Sequence, residues 1–289
     1  MIRIENDSLQ VAIAPKGAEL QSIVHKGNSL EYLWSGDPAF WGKKSPVLFP
    51  IVGGLKNNQY TYGTESYPLS RHGFARDMVF EVKSQEPASV TFAITSNETT
   101  LAVYPFHFSF SITYRLEGER LHVTYNVTNE GKENMLFSVG AHPAFKVPLA
   151  NNTGFEDYYL EFSSVENTGT WPLSAEGLIE EEAIPLLNNT NTLSLKKSLF
   201  YKDALVLKQL QSNTISLKSH QTPHGLTMQF DGFPFMGIWS AKDADFVCLE
   251  PWCGIADSVF STGNLLEKEG INSLNPGTAF ERTWTVSFF

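Results

Sequence analysis

Along much of this chain apolar and polar residues alternate with a period of two, the spacing that sends successive side chains to opposite faces of a β-strand. In LHVTYNVTN, Leu121, Val123, Tyr125 and Val127 share one face, while His122, Thr124, Asn126 and Thr128 share the other. FHFSFSITY sets Phe106, Phe108 and Phe110 against His107, Ser109 and Ser111. Near the C-terminus Trp284, Val286 and Phe288 alternate with Thr285 and Ser287. Further β-rich runs are SVTFAIT, DYYLEFSSV, TISLKS and GLTMQF, and long stretches with the 3.6-residue helical period are scarce. The pattern predicts an all-β protein of antiparallel strands with few short helices.

Turn chemistry separates the runs. KGNS, GGLKNN, YGTES, LEGER, TNEGKEN and SLNPG all carry Gly, Asn or Pro, the residues that supply turn conformations. TNEG is expected to join two neighbouring strands as a hairpin. No linker-like tract and no internal repeat interrupts the series, so residues 1–289 are expected to form one domain. The expected form is a large sandwich with two extensive sheets on a shared core. Residues 151–200 read as richer in loops and are expected to cover one end of it.

Composition adds limits. A hydrophobic share of 42% and an aromatic share of 13% are enough for a substantial core. The formal net charge of -10 argues against nucleic-acid partners, which need a cationic face for phosphates. It gives no support for docking on anionic membranes either. The opening MIRIENDSLQVAIAP lacks the apolar segment of a signal peptide, and no window reaches the ~20 apolar residues of a membrane span. A cytoplasmic location is therefore expected. The two cysteines, Cys248 and Cys253, are too few for a disulfide framework or a four-cysteine zinc site and are expected to be buried and reduced.

Seven histidines are the first place to look for proton-transfer chemistry, since imidazole titrates near neutrality. His107 and His122 fall at alternating strand positions and are explained by pattern. His25, His220 and His224 read as turn residues. His220 and His224 have i, i+4 spacing, but Pro223 interrupts any helix that would align their rings, and no third metal ligand is near. His72 in SRHGFAR and His142 in GAHPAF differ, because each sits beside Gly or Pro at a strand–loop junction where a side chain can be aimed away from the sheet. Both a structural and a functional role are open to them. Glu250, at the end of the apolar run FVCL, is either an exposed strand-end carboxylate or a desolvated one with a raised pKa, suited to act as a base. The chain carries no nucleophile elbow, dinucleotide fingerprint or P-loop, and the glycine-rich IVGGLKNN lacks the Lys-Ser/Thr needed to cradle phosphate.

Taken in order, GAELQSI, SPVLFPIVGGL, HGFAR, GAHPAF, FYKDALVL, CLEPWCGIAD and GINSLNPG resemble the aldose 1-epimerase, or galactose mutarotase-like, superfamily, and within it the LacX-like branch. The resemblance runs from about residue 10 to 285. It implies a β-supersandwich, in agreement with the periodicity, and an isomerase that interconverts the α and β anomers of an aldohexose without metal or organic cofactor. By motif, Glu250 resembles the base that removes the C1 hydroxyl proton. His142 resembles the acid that protonates the ring oxygen, and His72 the second histidine that holds the sugar. Asp203 in FYKDALVL resembles the carboxylate that binds a sugar hydroxyl. An aromatic surface for the sugar's C–H face is expected as well. Trp34, Trp41, Phe145 and Trp252 can supply it, although core packing also accounts for any one of them.

One block departs from the better-studied galactose mutarotases, which carry an arginine shortly before the first histidine. Here the region reads FPIVGGLKNN, and Arg71 or Arg76 can supply the cationic contact instead. That departure opens two alternatives. One is a hexose-6-phosphate mutarotase, with Arg71, Arg76 and Lys56 on the phosphate; the other is a non-catalytic sugar-binding or sensor protein using the same pocket. The sugar's identity and the oligomeric state are not fixed by the sequence.

Overall fold

The alternating segments become strands, as the computed structural model of residues 1–289 shows. A nine-stranded sheet contains, in spatial order, Ile184–Ser194, Tyr158–Thr170, Thr214–Ser219, Leu226–Gln229, Ala279–Phe288, Arg120–Asn129, Phe108–Glu117, Ser89–Thr95 and Glu81–Glu86. Every pairing within it is antiparallel. In the pair Phe108–Glu117 and Arg120–Asn129, the alternate residues Phe108, Phe110, Ile112, Leu121, Val123 and Val127 are all at 0% exposure. Their polar neighbours lie half-buried on the other face, so the period read from sequence is the period of burial. LEGER makes the tight hairpin between these two strands.

A five-stranded sheet provides the opposing layer. Its strands are Val139–Gly140, Ala144–Lys146, Leu205–Lys208, Phe235–Trp239 and Phe246–Cys253, again paired antiparallel. One apolar cluster of 65 residues runs from Ile4 to Phe288 and draws on both sheets, so the two layers share a core, as in a β-sandwich. An N-terminal sheet of Ile2–Glu5, Leu9–Ala14, Glu19–His25 and Leu30–Glu31, the hairpin Gln59–Tyr62 with Glu65–Pro68, and the long-range pair Met135–Phe137 with Asn272–Leu274 complete the strands. Helical residues are confined to single short turns such as Glu98–Leu101 and Lys197–Phe200. No helix is long and apolar enough to cross a membrane.

Two local expectations are corrected. Residues 151–200 hold two of the longest strands, Tyr158–Thr170 and Ile184–Ser194. The second is an edge strand on which only Leu187 and Leu193 are buried, so its polar NNTNTLSL has no apolar face for a period to mark. TNEG does not form a hairpin either. The strand before it pairs with Phe108–Glu117 and Ala279–Phe288, whereas the following Met135–Phe137 pairs with Asn272–Leu274. Asn129 steers that departure, accepting the Gly131 N–H and donating to the carbonyls of Glu133 and Leu274.

Candidate active site

The strand Phe246–Cys253 is buried at all eight positions. Val247, Leu249 and Cys253 point into the main core. Phe246, Cys248, Glu250 and Trp252 occupy the other face, where a carboxylate is out of place by composition. Its neighbours explain it. Gly140 pairs with Trp252 and Ala144 pairs with Cys248, so the common register puts position 142 opposite 250. The same register runs through the segment between, with Ala141 N–H bonded to Pro251 O and Leu249 N–H to Pro143 O. His142 Nε2 lies 3.3 Å from Glu250 Oε2. Two residues more than a hundred positions apart thus meet because one strand is flanked by both arms of the GAHPAF segment.

On its other side Glu250 pairs with Gly237. A Cβ added at Gly237 would come 2.3 Å from Trp252 Cζ2, and one at Gly140 would come 2.6 Å from Trp252 Cδ1. The Trp252 indole is seated against two glycines of the adjacent strands, which fixes the wall beside the carboxylate. Trp41 stacks on His142 with centroids 5.0 Å apart, and Trp239 meets the imidazole edge-on at 5.6 Å.

His72 closes a further side, its ring 5.9 Å from that of His142. The loop holding it interlocks with residues 49–54. His72 N–H donates to Gly53 O, and Gly53 N–H donates to His72 Nδ1 at 3.1 Å. An Nδ1 that accepts leaves the ring proton on Nε2. His72 has φ 68 and Gly73 φ 70. A Cβ at Gly73 would sit 2.3 Å from Phe49 O, so the glycine after His72 is required by this close approach.

These residues line one cavity of about 610 Å³, together with Arg71, Arg76, Tyr201, Lys202, Asp203, Trp41, Trp239, Trp252 and part of the loop around Leu173–Ile179. Asp203 follows the turn Lys197–Phe200, has φ 110, and its carboxylate accepts the Ala204 N–H at 2.7 Å. Arg71 Nη2 donates to Glu176 O, tying the cavity rim to the loop. Arg76 Nη2 donates to Arg71 O, while its buried Nε has no hydrogen-bond partner. All six residues picked from sequence, His72, His142, Glu250, Asp203, Arg71 and Arg76, are therefore on this cavity.

Burial pushes the Glu250 carboxyl well above the ordinary carboxylate range, and nearby Asp203 adds to the effect. The Trp252 indole N–H opposes weakly from a position short of hydrogen-bond geometry. Burial also pushes His142 down to about 3, against its own backbone carbonyl and helped by the Arg76 guanidinium. His72 is likewise lowered by burial, then by His142, Arg76 and Arg71. Both directions favour an uncharged pair, a protonated carboxyl beside a neutral imidazole.

Other expectations fare differently. Phe145 is fully buried in the main core, and Trp34 packs on Phe246 behind the cavity. Trp41 and Trp252 do line the cavity, joined by Trp239, which no pattern distinguished from a core residue. Lys56 is not on the cavity: its Nζ donates to Val259 O and Ser261 O. His107 lies just before its strand and is exposed; His122 sits on a strand between Thr285 and Glu117. His220 stacks on Tyr159, and His224 is near Asn28, so that pair shares no site. Cys248 and Cys253 are buried and unpaired.

Comparison with known proteins identifies the family and the fold. Residues 1–283 match the aldose 1-epimerase family. The chain is 38% identical to the chromosomal LacX protein of Lactococcus lactis subsp. lactis, over 99% of this chain and 98% of that one. Its fold superposes on a galactose mutarotase related enzyme from Lactobacillus acidophilus with a TM-score of 0.95 at 36% identity, covering 100% and 97% of the two chains. A galactose mutarotase-like protein from Lactobacillus casei gives a TM-score of 0.91 at 33% identity, covering all of both chains.

Proposed function

Since the chain belongs to the aldose 1-epimerase family, an isomerase-type family of sugar-binding proteins, we propose that it interconverts the α and β anomers of an aldohexose. Residues 1–289 would act as one domain in the cytoplasm, with Glu250 as base, His142 as acid, and His72, Asp203 and Arg76 as substrate contacts. The observation that carries this reading is the 3.3 Å contact between His142 Nε2 and Glu250 Oε2 on the wall of one cavity. A hemiacetal carries its C1 hydroxyl and ring oxygen on the same carbon, so an adjoining base and acid can address both at once.

The proton inventory closes without any further group. In the charged tautomer of the pair, Glu250 is a carboxylate and His142 an imidazolium, with the same number of protons as the uncharged tautomer. Glu250 takes the C1 hydroxyl proton, a carbonyl forms at C1, the bond from C1 to the ring oxygen breaks, and His142 protonates that oxygen. Ring opening converts the charged pair to the uncharged pair. Burial of the two side chains favours the uncharged form, so it stabilises the open-chain aldehyde stage relative to the starting pair. Rotation about C1–C2 and the reverse transfers close the other anomer. His72, with its ring proton on Nε2, donates to the sugar at every stage and never changes charge. Arg71 holds the rim loop through Glu176 O.

Polarimetry of freshly dissolved α-glucose and α-galactose tests this. Acceleration well above buffer, lost on Glu250→Gln, is expected; no acceleration across a panel of free aldoses overturns it. A second reading, a hexose 6-phosphate as substrate, is favoured by Arg76, Arg71 and Lys202 lining one cavity. Faster turnover of glucose 6-phosphate than of glucose would select it. A sugar sensor without turnover would keep its sugar affinity and cellular role in Glu250→Gln.

A further inference from the structure

Cys248 has no part in the proton transfers, yet it shares a strand face with Glu250 two residues away and pairs with Ala144, next to His142. The donor atoms of His142, Cys248 and Glu250 all lie within 4.8 Å of one another. Among them, His142 Nε2 and Glu250 Oε2 are 3.3 Å apart.

We propose that these three side chains form a binding site for a thiophilic divalent cation such as Zn²⁺ or Cd²⁺, with its remaining coordination position open to the cavity. Zinc bonds of about 2.0 Å to N and O and about 2.3 Å to S imply donor edges of roughly 3.3–3.5 Å. The imidazole–carboxylate edge already has that length. With every donor separation within 4.8 Å, the Cys248 thiol must close in by at most about 1.3 Å to reach such an edge, which a change at a side-chain torsion supplies. A thiolate, an imidazole and a carboxylate with one open position is the three-ligand arrangement of catalytic-type zinc sites. Sulfur selects Zn²⁺ or Cd²⁺ over Mg²⁺ and Ca²⁺.

Charge balance suits the surroundings. A dication with one thiolate and one carboxylate is neutral overall, which a desolvated site between aromatic walls can hold even with Arg76 nearby. A thiol that binds as a thiolate gives its proton to the solvent. An ion at this position occupies both partners of the proton transfer. The consequence for turnover, inhibition competitive with sugar, rests on the anomerase reading; the binding site itself does not.

The test is titration of the full-length chain with CdCl₂, read by the ultraviolet sulfur-to-cadmium charge-transfer band. One equivalent is expected to bind with the band present, to be displaced by ZnCl₂, and to survive Cys253→Ser, whose thiol points into the opposite core. Cys248→Ala, a small apolar replacement on a buried strand, is expected to remove the band and weaken Cd²⁺ binding at least tenfold. Glu250→Gln is expected to weaken it without removing the sulfur signal. No band with wild type at excess Cd²⁺, or a band that persists in Cys248→Ala, overturns the proposal. A chain that binds Cd²⁺ in this way but never accelerates mutarotation retains the metal site and loses the catalytic reading.

Discussion

Replacing Glu250 by glutamine is expected to inactivate the protein and to stabilise it. The side chain is 2% exposed, and burial holds its carboxyl well above the 4.5 of an unperturbed glutamate. In the unfolded chain the group ionises near that ordinary value; in the folded chain it keeps its proton to higher pH. Its contribution to folding is therefore fully present below pH 4.5 and is lost as pH rises toward the folded value. Each pH unit in that window is worth about 1.4 kcal/mol, so at pH 7 the loss reaches up to about 3 kcal/mol. Glutamine has the same shape, retains a hydrogen-bonding group for His142 Nε2, and carries no such titration. The stability of Glu250→Gln minus wild type is expected to be near zero at pH 4.5 and to climb as pH rises, bounded at pH 7 by about 3 kcal/mol.

The buried imidazoles behave oppositely. With His72 and His142 lowered, their contribution is present above the ordinary 6.5 and is lost as pH falls, for His142 down to about 3. They are present in both proteins and largely cancel in the difference. The assay is urea unfolding followed by tryptophan fluorescence between pH 4.5 and 8, accepting only pairs with equal m-values. Polarimetry on the same samples is expected to show a loss of about 10²–10⁴-fold, the usual worth of a positioned general base. A stability difference that stays flat with pH, or a glutamine variant less stable than wild type at pH 7, would show that the folded cavity does not hold the carboxyl protonated.

Further perturbations separate positioning from chemistry. His72→Asn tolerates φ 68 because asparagine visits the left-handed region readily; it loses the Nε2–H donor, and a rise of about 5–10-fold in KM with little change in thermal unfolding is expected from one lost hydrogen bond. Unchanged KM would remove His72 from the sugar. Gly237→Ala places a Cβ 2.3 Å from Trp252 Cζ2, and a loss of about 1–3 kcal/mol from overpacking should accompany lower activity; an alanine variant with wild-type stability and turnover would refute the seat assigned to Trp252. Lys268→Met leaves Asp257 without its 2.8 Å partner in a site where both side chains are nearly inaccessible, so urea unfolding should report a loss of about 3–5 kcal/mol. Because Asp257 also accepts the Lys56 N–H and its backbone bonds to Gly54 and Ile179 beside the cavity, activity should fall with it, and a neutral result would show the pair to be dispensable.

The strands were legible because a sheet with one buried face repeats every two residues, and Phe108–Glu117 with Arg120–Asn129 kept that period throughout. It failed where burial was one-sided in neither sense. Ile184–Ser194 is an edge strand with little buried surface, and Phe246–Cys253 is buried on both faces, so neither carries an alternation. The ordered motifs were enough to gather six cavity residues, and at HGFAR the motif includes a glycine whose close approach to Phe49 O the structure requires.

What the sequence determined by itself was therefore the fold class, the family and the set of polar residues at strand ends. Only the tertiary structure decided how they meet. The shared register of Gly140 with Trp252 and Ala144 with Cys248 is a long-range pairing, and no local pattern encodes which strand will lie beside which. That pairing puts His142 against Glu250, converts an ambiguous strand-end carboxylate into a desolvated one, and brings Cys248 within reach of both. Trp239 enters and Phe145 leaves because the face a side chain occupies is fixed by the neighbour its strand acquires, while Lys56 leaves because its turn aims Nζ at the carbonyls of Val259 and Ser261.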